Sequence, residues 1–168
     1  VHRSFAPLGQ NLVVSGVGGR ITTNERLTCF LLRYPGWEAQ FSLDFLRHFE
    51  QEKILLFHTP IDIEEEAGGH EAVRHIIKTY SPKIAVCGRR DGKHGKDTVG
   101  RTLVVYPGML KTGDYAFIDT REKTVEFGDG RRPAPPAFLT LPARPPAGRL
   151  FFGTHRVVAG GICALSIH

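Results

Sequence analysis

The chain has 168 residues, enough for one domain with a core of its own, and its apolar (41%) and charged (23%) fractions are those of a globular protein. No apolar run approaches the ~20 residues of a membrane span, and the opening VHRSFAPLG lacks the basic-then-apolar order of a secretory leader. The formal charge of +5 belongs to the tail: five arginines and no acid lie beyond Asp129, leaving 17 cations to 17 acids in residues 1–129, so nucleic acid is not an expected partner.

The first residue is valine, so the chain is expected to be processed or part of a longer one. Asn11–Ser15 (NLVVS) reads as a buried strand running into Gly16-Val17-Gly18-Gly19, glycines that suit a tight turn. They do not make a phosphate loop, because no helix pattern and no Lys-Ser/Thr pair follows. Residues 21–35 are mixed and read as a long surface loop. Trp37–Glu52 reads as a helix, with Phe41, Phe45, Leu46 and Phe49 at i, i+4, i+5 and i+8 forming its apolar stripe and Ser42 or Asp44 as internal cap candidates. His48 beside that stripe reads as a surface or packed residue.

Lys53–Thr59 (KILLFHT) organises the chain. A short apolar run ended by Thr59-Pro60 reads as a buried parallel strand. His58 then stands at its carboxyl end, where open α/β sheets gather ligand-binding groups. Residues 61–69 (IDIEEEAGG) are an acidic loop. Gly69–Tyr80 is a second helix, with Val73, Ile76 and Ile77 inward and Pro82 beyond its end. Its His70 and His75 are five apart, which is not the spacing of a helical metal pair. Lys83–Cys87 (KIAVC) is a second buried strand, followed by the polar loop of residues 88–97 (GRRDGKHGKD). If these two strands are parallel, their carboxyl ends are neighbours, and any chemistry lies between them.

Thr98–Tyr106 reads as a hairpin turning at Gly100, closed by Pro107-Gly108, and Asp114–Thr120 with Lys123–Phe127 as a second hairpin. From Gly128 the composition changes. Six of the eleven prolines fall in Pro133–Pro146, so residues 128–168 read as a Pro/Arg-rich linker and poorly ordered tail, and residues 1–127 as the folded domain. The three cysteines, Cys29, Cys87 and Cys163, are widely spaced and make neither a zinc motif nor a disulfide framework, which points to a reducing, cytoplasmic setting.

In order, strand-His-Thr-Pro, acidic loop, helix, strand-Gly-polar loop, hairpin, Pro-Gly and hairpin resemble the C-terminal half of a calcineurin-like metallophosphoesterase of a divergent bacterial branch. The segments that carry this are Ile54–Pro60 (ILLFHTP), Gly69–Pro82 (GGHEAVRHIIKTYSP), Ala85–Gly88 (AVCG) and Thr98–Thr120 (TVGRTLVVYPGMLKTGDYAFIDT), within residues 1–127. The resemblance implies the C-terminal part of a four-layer α/β/β/α sandwich with a mixed sheet. It also implies hydrolysis of phosphoric esters with two divalent ions (Mn, Fe, Zn or Mg) on a phosphorylated small molecule or phosphodiester.

The sequence departs from the family pattern twice. The family's D-x-H and G-D-x-x-D motifs are absent, Asp44 being the sole aspartate before Lys53. The G-H-x-H position reads Gly88-Arg89-Arg90-Asp91, and arginine has donors only and cannot ligate a metal. The resemblance therefore leaves His58, with Asp91 and His94, as metal-ligand candidates and Arg89 and Arg90 as phosphate-gripping candidates. Two functions follow: a phosphoesterase that is inactive as this piece alone, or a module that keeps the fold, has lost the dinuclear site and binds a phosphorylated ligand or a protein. An incomplete sandwich exposes a sheet face, which predicts self-association or poor solubility.

Overall fold

The computed structural model describes residues 2–24, 26, 28, 32–61, 69–89 and 92–130, and the backbone of 156–160 and 164–167. Its centre is a six-stranded mixed sheet in the order β1 (Phe5–Pro7), β2 (Leu12–Val17), β5 (Glu52–Phe57), β6 (Ile84–Cys87), β8 (Thr102–Tyr106) and β7 (Gly95–Val99). The four inner strands are parallel, and β1 and β7 run antiparallel at the two edges. The last four residues of β5 and all of β6 are buried, as their unbroken apolar runs require of strands covered on both faces.

Alternation along these strands sorts the core into two clusters. Leu55, Phe57, Ala85, Cys87, Val104 and Tyr106 pack with the helix residues Leu43, Leu46, Val73, Ile76 and Ile77. Ile54, Leu56, Ile84, Val86 and Val105 pack on the opposite face, against Ala116 and Ile118 of a second sheet. That sheet is antiparallel, in the order β10 (Thr124–Asp129), β9 (Asp114–Asp119), β11 (Arg156–Gly160), β12 (Ala164–Ile167). Both hairpins form where expected, the first turning at Gly100 with φ 62. The first hairpin also takes in Gly95–Asp97, shortening the polar loop before it.

The sequence offered no partner for the apolar end of the tail. In the structure β11 pairs with β9 from Arg156↔Asp119 to Gly160↔Tyr115, and β12 pairs with β11. The proline-rich residues 131–155 lie outside the described residues.

Two expectations are corrected. Trp37–Glu52 is not one helix: α1 spans Gly36–Ser42, a 3-10 turn follows over Asp44–His48, and β5 already begins at Glu52. The inward stripe is Ala39, Leu43 and Leu46, all fully buried, whereas Phe41 is 78% exposed. Neither Ser42 nor Asp44 caps α1, which starts after Pro35 with no side-chain cap. Small Ala39, rather than a bulky aromatic, faces the core because α1 packs closely on α2 (Gly69–Tyr80).

The region read as a surface loop contains two short strands, β3 (Arg20–Thr22) and β4 (Arg33–Pro35), paired in parallel. Ile21 is fully buried there. Three-residue strands are too short to print a periodicity in sequence. Among the described residues no helix is long and apolar enough to cross a membrane.

Candidate functional site

His58 is the first residue past the end of β5. It is exposed, while Phe57 before it and Thr59-Pro60 after it are buried. The strand end is clamped from both sides. On the β6 side, the Gly88 N–H donates to the Phe57 carbonyl at 2.9 Å, and Gly88 lies so close that a Cβ there would fall 2.2 Å from the His58 carbonyl oxygen. On the other side, the Ile21 N–H donates to Thr59 Oγ1 at 2.8 Å in a buried setting. These contacts fix the backbone of residues 57–59 and leave the His58 ring facing solvent, with no hydrogen bond to it among the described residues.

Arg89 follows Gly88 and is half-buried. Its guanidinium carbon sits 5.3 Å from the centroid of the buried Tyr106 ring, a cation–π arrangement, and its Nη1 lies against Gly95 at the start of β7. The sheet therefore brings His58 and Arg89 onto adjacent strand ends. His94 is exposed and stacks on Phe127 of β10, with ring centroids 4.8 Å apart and planes at 24°. Arg90, Asp91 and acidic residues 62–66 lie outside the described residues. His70 lies in the first turn of α2, with Nδ1 buried and no hydrogen-bond partner among the described residues.

Sequence reading missed a second cluster at the same rim, at the end of β2. Neutral His2 accepts the Gly18 N–H on Nδ1 at 3.0 Å, and its ring lies 5.4 Å from Tyr34. Arg3 lies 4.1 Å over the Tyr34 ring, forms an ion pair with Glu38 and donates its backbone N–H to the Gly16 carbonyl. Nothing in the sequence near residue 2 signals this, because every partner is brought in by tertiary folding.

The His2 imidazole titrates below its ordinary value, first because it is partly buried and second because the Arg3 charge opposes protonation, with Glu38 pulling the other way. A lowered folded value means that this contact stabilises the fold fully above pH 6.5 and is lost as pH falls through the depressed value. Proton NMR of the His2 ring between about pH 7.5 and 5 is expected to give a midpoint below 6.5, with Gly18 amide protection falling at that midpoint. A midpoint at or above 6.5 would contradict the packing described.

Helices pack on one face of a mixed sheet and a second sheet on the other, a mixed α/β fold consistent with the metallophosphoesterase type. The family model described as "Metallophosphoesterase, calcineurin superfamily" matches residues 1–129, and the chain belongs to that family. The crystal structure of TT1561 of Thermus thermophilus is similar at 31% identity and a TM-score of 0.67, over 78% of this chain and 59% of that one. A second crystal structure is similar at 30% identity and a TM-score of 0.66, over 77% of this chain and 53% of its own. The chain thus spans between half and two thirds of the length of each. No curated protein matches it.

Members of this family generally use divalent metals. Among the described residues, no three His, Cys, Asp or Glu side chains gather into a group able to hold a metal ion. With no three-ligand group among them and His94 stacked on Phe127, the described residues do not by themselves fit a dinuclear centre.

Proposed function

We propose that this chain is part of a metal-dependent phosphoesterase of the calcineurin type, hydrolysing phosphoric esters in its complete form. The observation that carries this reading is His58, exposed at the carboxyl end of a buried parallel strand, its backbone held against Gly88 after the next strand. In this reading His58 is a metal ligand, and the remaining donors come from outside the described residues, Asp91 among them. His94 joins only by leaving Phe127. Arg89 and Arg90 bind phosphate oxygens, a task suited to a planar guanidinium that stays cationic and offers paired donors. The substrate class is a phosphorylated small molecule or phosphodiester.

A second reading is favoured by a separate observation, the lack of a three-ligand group among the described residues. In it the domain binds a phosphorylated ligand or a protein without hydrolysis.

Calorimetric titration with Mn²⁺ separates the two. Heat is expected from the wild type and not from His58→Ala; no heat from either supports the binding module. The 168-residue chain alone is expected to hydrolyse neither a generic phosphodiester nor a phosphomonoester with Mn²⁺ present. Clear turnover by it would show that it holds a complete site.

A further inference from the structure

The rim of the six-stranded sheet opposite His58 carries a recess of about 330 Å³. The amino ends of β5 and β6, the end of α2 at Tyr80–Pro82, and the two hairpin turns line it. Its cations are Lys53, Lys83, Arg101 and Lys123, and its carboxylates are Glu50 and Glu52. The positive surplus is local, because residues 1–129 are balanced in charge.

The hydrogen bonds leave donors to spare. Lys83 Nζ donates to both Glu52 oxygens at 2.9 and 2.8 Å, so that carboxylate is paired with Lys83. Lys53 Nζ donates to the Phe49 and Gln51 carbonyls. An ammonium has three N–H groups, so each of these lysines keeps one. Lys123, held at φ 54 in its turn, donates one N–H to the Arg101 carbonyl at 3.1 Å. That bond ties the two hairpin turns together, and both side chains line the recess. Among the described residues neither Arg101 nor Lys123 has an ion pair. Within the recess Glu50 and Glu52 face four cations, and Glu52 is the one paired with Lys83.

Crowded cations in a concavity focus a positive potential and attract counter-ions. A recess at the lower end of small-ligand pocket sizes fits a compact polyanion rather than an extended one. We propose that this recess is a second binding site, separate from the His58 rim, for a small oligophosphate. Arg101 and Lys123 form the mouth, with one donor each from Lys53 and Lys83 at the base. Because the ligand would bridge the starts of β5 and β6 and both turns, its binding stabilises the two sheets against one another.

The test uses inorganic pyrophosphate as the probe, titrated calorimetrically into the 168-residue chain in metal-free buffer. A Kd below about 1 mM at about 0.1 M salt is expected, weakening as salt rises. The double variant Arg101→Glu/Lys123→Glu is expected to lose at least about tenfold in affinity with unchanged circular dichroism, and Glu50→Gln to bind more tightly. Arg89→Ala, at the other rim, is expected to bind the probe as the wild type does. No binding by the wild type, or equal binding by the double variant, overturns the proposal. Loss of binding in Arg89→Ala places the probe at the other rim and overturns it too. If the double variant fails to fold, Glu50→Gln decides alone: unchanged affinity refutes the site.

Discussion

Replacing Phe57 with alanine is expected to cost about 3–5 kcal/mol, a large share of a small domain's stability. Phe57 has no exposed surface and belongs to the helix-side cluster with Val17, Ile76, Ile77 and Tyr106. It is paired on one side with Val17 and on the other with Cys87. Truncating the ring opens a cavity beneath α2 at the centre of the sheet, where strands held on both sides cannot close it. Phe41→Ala is the matched control. Phe41 is equally aromatic but 78% exposed, and its loss is expected to change stability by no more than about 0.5 kcal/mol. Urea unfolding followed by circular dichroism checks both. Equal effects at the two positions would mean that α1 is turned the other way.

Gly88→Ala is expected to destabilise by about 3 kcal/mol and to displace His58. The added methyl would sit 2.2 Å from the His58 carbonyl oxygen and 3.1 Å from its carbon, and both atoms are backbone. A flexible side chain can swing away from such a clash, whereas this one must push β5 and β6 apart and break the 2.9 Å bond from the Gly88 N–H to Phe57. A thermal midpoint lowered by roughly 6–12 °C is expected, together with a shift of the His58 ring resonances. A variant as stable as the wild type would show that the two strand ends are not in contact. The same pair of residues bears on function: the glycine holds the histidine at the rim, so the metal titration proposed for His58→Ala should also weaken in Gly88→Ala.

Much of the fold is legible in the sequence because burial on both faces leaves a plain mark. KILLF and KIAVC are unbroken apolar runs, and both are inner parallel strands. The second helix begins and ends where its pattern and Pro82 place it, at Gly69–Tyr80. The first hairpin announces itself by Gly100 and the second by the alternation along Asp114–Asp119. The first helix is misread from sequence because aromatic bulk is not in itself a sign of burial. The packing of α1 on α2 favours Ala39 and Leu43 instead and sends Trp37 and Phe41 outward at 70% and 78% exposure.

The candidate site divides in the same way. Local sequence determined that a histidine follows a buried strand and that an arginine follows the glycine ending the next, since strand length and turn residues are properties of short stretches. Only the tertiary structure decided that Gly88 abuts His58, that Arg89 lies against Tyr106, that His94 stacks on Phe127 and that His2 reaches Gly18. These contacts join residues far apart in the chain, and their geometry is set by strand order and by the packing of one sheet on another, which no local pattern encodes.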